Sequence, residues 1–171
     1  MGKPSLQTER LLLRPLAAGD EAALVADLND WDVARWLAVV PFPYLPADFQ
    51  AFLPRAEPGE TWAIEDDLGF VGVISTEGAL GYWLARRAWG RGYATEAARA
   101  VLAAHFADPG VGSVESGYFE GNARSANVLT KLGFRITGYK HRRTVARPDE
   151  DTLSCRMELT RDRWAAPRLG L

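Results

Sequence analysis

The sequence predicts a mixed α/β sheet, and three observations carry that prediction. Two short apolar segments around Asp66-Asp67-Leu68-Gly69 have the pattern of a β-hairpin. A strand, a glycine loop, a helix, a second strand and a second helix follow one another between Ala79 and Leu132. Two long alternating segments then close the chain, joined by a polar loop. With 171 residues, 47% apolar and 25% charged, the chain suits one domain over residues 1–171 with a single buried core, and disorder is excluded.

The elements follow in order. Leu11–Arg14 reads as a first strand, closed by Pro15. Asp20 stands as a helix cap before Glu21–Leu28, with Ala22, Leu24, Val25 and Leu28 on the apolar side. A second short helix is expected around Val33–Val39. Three prolines within residues 41–46 forbid regular pairing there, and Asp48–Ala56 reads as another short helix. Thr61–Glu65 and Phe70–Ser75 form the hairpin, and Ala79–Leu84 is the next strand. In the helix Ala94–Ala107, residues Ala94, Ala97, Ala98, Val101, Leu102, His105 and Phe106 recur at helical spacing, leaving Glu96 and Arg99 toward solvent. Ser113–Tyr118 is a strand, and Ala123–Leu132 is a helix stopped by Gly133. Phe134–Arg142 and Thr152–Leu159 are the late strands, with the loop Ala146–Asp151 between them.

Bulk properties narrow the function. A net charge of −2 gives no overall attraction to nucleic acid or anionic membrane, so any anion site must be local. The single cysteine, Cys155, excludes an internal disulfide framework, and two histidines without ligand spacing predict no metal. No apolar run reaches membrane-spanning length and the N-terminus lacks a signal-peptide core, so the expectation is a soluble, cytoplasmic protein, monomeric or homodimeric.

The most informative run is Gly81-Tyr-Trp-Leu-Ala-Arg-Arg-Ala-Trp-Gly-Arg-Gly-Tyr-Ala-Thr95. A strand enters a loop with glycines at 90 and 92, and the loop opens into a helix. Helix N-termini present unpaired N–H groups to anionic oxygens, and glycines let a phosphate reach the backbone. Arg86, Arg87 and Arg91 add positive charge. The run lacks GxxxxGK[ST] and its lysine, and Thr95 stands where a dinucleotide fingerprint needs its third glycine. On these residues alone, a diphosphate cradle and an ordinary glycine-containing turn are both compatible.

A resemblance goes further. Arg87-Ala-Trp-Gly90-Arg-Gly92-Tyr-Ala94 fits the Q/R-x-x-G-x-G/A pattern of the GCN5-related N-acetyltransferases (GNAT). The longer string GYWL…WGRGYATEAARA resembles the branch that includes the ribosomal-protein alanine acetyltransferases. Asn122-Ala-Arg-Ser125 with Lys131-Leu-Gly133-Phe134 resembles that branch's second segment, and Thr8-Glu9-Arg10 with Arg14-Pro15 resembles its opening. The resemblance implies a mostly antiparallel sheet, splayed at the cofactor strand and flanked by helices. It implies acetyl-CoA as cosubstrate, no metal, and an amine acceptor: a ribosomal-type protein N-terminus, a metabolite amine or an aminoglycoside-like compound.

By the same resemblance, Tyr82, Trp83 and Leu84 lie beside the pantetheine arm, with a backbone N–H of that strand polarising the thioester. Gly81 is consistent with a bulge there or with a merely thinned strand. Arg87, Trp89, Gly90, Arg91, Gly92, Tyr93, Ala94 and Thr95 surround the diphosphate, chiefly through the backbone. Asn122 is a good N-cap and, by resemblance, a pantetheine ligand. Ser125, a first-turn hydroxyl, is by resemblance the catalytic group at the leaving thiolate. Lys131 is by resemblance a cofactor phosphate contact or, as the preferred reading, a charge in the last helical turn.

No single general base stands out. The branch's glutamate is replaced near that place by Thr144, leaving His141, Glu77, the run Asp149–Asp151, or a water chain. Cys155 alternates with polar neighbours and reads as core. Trp31, Trp36, Phe42 and Tyr44 line the acceptor pocket or belong to the core, and Asp27, Asp30 and Asp32 attract a cationic acceptor or are solvated. The reading is an N-acetyltransferase acting by direct attack in a ternary complex. The alternatives are an acyl-CoA sensor without turnover and a mononucleotide-binding protein, the latter opposed by the missing lysine.

Overall fold

The computed structural model describes residues 5–167. Its first sheet has the order β1 (Leu6–Gln7), β2 (Leu12–Arg14), β3 (Thr61–Asp66), β4 (Gly69–Ser75) and β5 (Gly81–Leu84). The second has the order β6 (Ser113–Phe119), β8 (Thr152–Thr160) and β7 (Arg135–Arg142). Every pairing within the two sheets is antiparallel. The mixed α/β fold expected from the pattern is the fold observed, and it is mostly antiparallel and flanked by helices, as the resemblance implies.

Helices α4 (Tyr93–Phe106) and α5 (Ala123–Leu132) cover one side of both sheets. Ala97, Ala98, Val101 and Leu102 of α4 are fully buried, in one cluster with Ile64, Ile74, Leu129, Cys155 and Leu159. Small alanines on that stripe let the helix lie close to the strands. Gly133 closes α5 with φ +100°, the left-handed turn that glycine adopts without a Cβ penalty. A second cluster joins α1 (Glu21–Leu28), α2 (Trp31–Ala34) and α3 (Pro46–Phe52) to the other side through Leu24, Leu28, Val33, Phe49 and Val73. The first sheet is therefore clamped between two apolar layers.

Several local expectations change. The N-terminal strand has a partner, β1, folded back through Thr8, whose N–H donates to the Leu11 carbonyl at 2.9 Å. The second helix is α2, shorter and earlier than 33–39, because the Asp30 carboxylate caps it by accepting the Asp32 N–H at 3.0 Å. Residues 53–55 form a 3-10 turn after α3. Among the described residues the chain adds α6 (Arg161–Ala165), capped by Thr160. Gly81 pairs in register with Ser75 and forms no bulge. The irregularity lies on β4, where Phe70 and Gly72 face consecutive residues of β3 and Val71 is the extra residue.

Asp20 does not cap α1. Its carboxylate turns back to accept the Arg14 guanidinium at 2.7 and 2.9 Å and the Ala17 N–H at 2.9 Å. Arg14 also reaches Glu65 at 2.7 Å, joining β2, β3 and the start of α1. Burial opposes the Asp20 charge, but the Arg14 and Ala17 hydrogen bonds prevail and hold this carboxyl below its usual range. A depressed folded-state pKa gives stability that is complete above the unfolded value of about 4 and lost as pH falls below it. Asp20→Asn is expected to cost about 2 kcal/mol at neutral pH, since hydrogen bonds to charged groups are worth that much. Thermal melts from pH 6 to pH 3 should show a smaller drop for the variant than for the parent. An equal drop would remove Asp20 from the acid response.

Candidate active site

The two sheets meet at β5 and β6 and then part. At the joined end the Leu80 N–H donates to the Glu115 carbonyl at 2.8 Å, and the Ser116 hydroxyl donates to the Leu80 carbonyl at 2.7 Å. Antiparallel strands alternate their hydrogen bonds from side to side. Because the Ala85 N–H donates to the Val71 carbonyl at 2.7 Å, residues 81, 83 and 85 bond toward β4. The N–H and C=O groups of Tyr82 and Leu84 therefore face the gap. The Leu84 carbonyl accepts the Trp89 indole N–H at 2.9 Å, which folds the following loop back over the strand end. This leaves an edge of backbone donors and one acceptor, the kind of surface that holds an extended amide-bearing chain.

The gap opens into a cleft of about 860 Å³ running from the start of α4 along β5 and β6 to Trp36 and Ala38. At its α4 end, Gly90 and Gly92 have φ of +72° and +78°. These left-handed turns point successive backbone groups inward, and glycine adopts them without strain. The first α4 hydrogen bond runs from the Glu96 N–H to the Gly92 carbonyl at 3.1 Å. The N–H groups of Tyr93, Ala94 and Thr95 are thus those a helix start leaves for an anion. In the middle of the cleft, the Tyr82 hydroxyl lies 2.9 Å from Ser125 Oγ, and the Ser125 N–H donates to Asn122 Oδ1 at 3.3 Å. Burial pushes the Tyr82 phenol up to about 12, so it keeps its proton at neutral pH. An anion cradle, an edge strand and a half-buried hydroxyl pair therefore lie along one cleft.

A profile of the acetyltransferase (GNAT) domain matches residues 10–135. Protein YkkB of Bacillus subtilis is 33% identical over 150 residues, covering 79% of this chain and 87% of that protein. The N-acetyltransferase YoaA of the same organism is 25% identical over 79% of this chain and 85% of its own. The structure of Mycobacterium smegmatis RimJ in complex with CoA-disulfide superposes with a TM-score of 0.77 at 25% identity, covering 95% of this chain and 88% of that one.

The chain belongs to the GNAT family. It is an N-acetyltransferase.

Within this GNAT domain, Tyr82, Trp83, Leu84, Trp89, Gly90, Gly92, Tyr93, Ala94, Thr95, Asn122 and Ser125 all line the cleft. Two expected cofactor residues are placed otherwise. The Arg87 guanidinium binds Asp66 at 3.1 Å and the Phe70 carbonyl at 3.0 Å, so it ties the loop to the β3–β4 hairpin. Arg91 is exposed and stands 6.0 Å from the Tyr93 ring. Arg86 is drawn to Asp30 and Asp32, at 2.6 and 2.7 Å. That pairing, Asp30 foremost, raises the Arg86 pKa and lowers that of Asp30. Two of the three loop arginines are thus occupied by acids of the scaffold.

Of the four aromatics expected at the acceptor end, Trp36 lines the cleft. Trp31 and Phe42 pack on each other at 5.0 Å outside the cleft lining, and Tyr44 is buried in the second core cluster, its backbone bonded to Asn29. The candidate bases are also dispersed. His141 is exposed and lies 3.2 Å from Asp151, while Glu77, Asp149 and Glu150 are exposed outside the cleft lining. Thr144 is buried, with its hydroxyl accepting the Arg147 N–H at 3.0 Å. The acids that line the cleft are Asp32 and Glu115, and both face arginines, Arg86 and Arg156.

One pairing and two residues escaped the sequence reading. Tyr82 completes a hydroxyl pair with a residue 43 positions away. Arg124 stacks on Trp89 at 4.0 Å inside the cleft. Arg10 is braced by Glu96 at 2.6 Å, and its Nη2 lies 3.6 Å from where a Cβ on Gly92 would sit. Only Arg10 carried a usable signal, because it belongs to the opening segment that resembles the family.

Proposed function

We propose that the protein transfers acetyl from acetyl-CoA to a primary amine by direct attack within a ternary complex, as a single cytoplasmic domain and without a metal. The observation that carries the proposal is the alignment of the α4 cradle, the β5 edge and the Tyr82–Ser125 pair along one cleft. The diphosphate would sit on the N–H groups of Gly92–Thr95 with Arg10 alongside, and the pantetheine arm would lie against β5 and Asn122. CoA in the RimJ structure and in a spermidine N-acetyltransferase structure from Vibrio cholerae supports acetyl-CoA as the donor.

The amine nitrogen attacks the thioester carbonyl carbon, whose oxygen gains charge and is met by an N–H of Tyr82 or Leu84. The C–S bond then breaks. With Tyr82 donating to Ser125 Oγ, the Ser125 hydrogen is available to the departing thiolate. The ammonium proton leaves through water, since the acids that line the cleft are held by arginines.

Free CoA release from acetyl-CoA across a broad amine panel, read with a thiol reagent, tests the reading. Tight acetyl-CoA binding with no release for any protein, peptide or small amine would assign the chain to sensing instead. Ser125→Ala is expected to lower kcat about 10-fold or more while changing the acetyl-CoA Kd less than about 3-fold, the range a positioned acid supplies. An unchanged kcat would return Ser125 to a plain first-turn hydroxyl.

A further inference from the structure

The face of the second sheet that looks into the cleft is basic. Residues opposite one another in antiparallel strands share a face. Phe119, Ser154 and Lys140 are in register, as are Gly117, Arg156 and Gly138, and Arg142 lies one pair further on opposite Thr152. Lys140, Arg142 and Arg156 all line the cleft. Arg156 faces Glu115 at 3.7 Å, and Arg86 holds Asp32. Lys140 and Arg142 have no carboxylate partner among the described residues, and the Arg142 guanidinium stands 5.8 Å from the Phe119 ring.

A second cation stands behind this wall. Arg147 lies between the rings of Trp36 and Phe119, at 6.0 and 5.6 Å, and its side chain is only 9% exposed. Nη1 binds Glu150 at 3.1 Å, but Nε and Nη2 are buried with no hydrogen-bond partner. Arg35 stacks on the same Trp36 at 4.6 Å, and its Nε is likewise unpartnered. Arg147 is therefore a largely buried cation with donors left over, standing behind the cleft lining rather than in it.

We infer that the acceptor is a small amine carrying its own carboxylate, held by Arg142 and Lys140 with the field of Arg147 behind them. The inference rests on the acetyl-transfer reading and specifies its substrate class. A guanidinium fork matches the two oxygens of a carboxylate, and the wall would repel a polyamine. The acceptor is small because this end of the cleft is bridged. The Val145 N–H donates to the Ala38 carbonyl at 3.1 Å, and Arg147 spans from Trp36 to Phe119, so the β7–β8 loop bars an extended chain from threading through.

The test uses free amino acids against their carboxamides, with spermidine and phosphoethanolamine alongside. Amino acids are expected to show kcat/KM at least about 10-fold above their carboxamides, the size of a charged hydrogen bond. Arg142→Ala should erase that difference and leave the acetyl-CoA Kd as it was, and Arg142→Lys should restore part of it. Equal or better use of the carboxamides, spermidine or phosphoethanolamine overturns the inference while acetyl transfer stands. If no amine releases CoA, the transfer reading fails, and saturation-transfer NMR of amino acids on the CoA complex decides the site. Binding that Arg142→Ala weakens at least about 10-fold supports it, and no binding overturns it.

Discussion

Gly92→Asp is expected to abolish acetyl-CoA binding, raising Kd by at least about 100-fold, or roughly 2.7 kcal/mol. Three effects act together. Gly92 sits at φ +78°, where any L side chain is strained by roughly 1–2 kcal/mol. Its new Cβ would stand 3.6 Å from Arg10 Nη2, so the introduced carboxylate would claim that guanidinium. It would also place a negative charge at the N-terminus of α4, where the diphosphate is to sit. The strain falls on a surface loop rather than on the core, so far-UV circular dichroism should stay native. Calorimetric titration with acetyl-CoA decides the matter, and an affinity within about 3-fold of the parent would sink the cradle assignment.

Gly72→Ala should produce the largest loss of stability available from one added methyl group. A Cβ at Gly72 would lie 2.2 Å from the Trp83 backbone oxygen and 3.0 Å from Leu84 Cα. The closest atom is backbone of β5 and cannot rotate away, so β4 and β5 must separate. A cost of about 3 kcal/mol is expected for such overpacking, a fall in Tm of roughly 6–12 °C for a chain of this size. Acetyl-CoA affinity should fall with it, because β5 supplies the cofactor edge. Gly81→Ala is the matched control, with no atom within 4 Å of its added Cβ and an exposed position. Equal melting of Gly72→Ala and the parent would mean that the strands are not locked together as described.

What could be read from the sequence was local. The bounds of α1 and α5 followed from side-chain spacing and, for α5, from the Asn122 cap and the Gly133 stop. The two-glycine loop was legible because backbone chemistry needs glycine at fixed offsets. Cys155 fell on the buried side of its strand as alternation required. What could not be read depends on partners far away in the chain. Nothing local marks the basic residues Lys140 to Arg143, and only the β7–β8 register and the docking of Val145 on Ala38 turn part of that run toward the cleft. Asp30 and Asp32 looked available to a cationic acceptor until Arg86, more than fifty residues on, was found to hold them. Aromatic residues gave no such guidance, because Trp36 and Tyr44 are alike in composition and differ only in which layer covers them.

The Arg87 fork bears on how this loop can be reused. Its side chain occupies the first position of the Q/R-x-x-G-x-G/A signature, yet it grips Asp66 and the Phe70 carbonyl at the β3–β4 turn. The signature is therefore not a portable cassette. A graft of residues 87–95 onto another strand–helix junction would carry the cradle but not its anchor, and the transplanted loop would lose the shape that makes it a cradle. Recombination or design that moves this motif must take the hairpin along with it.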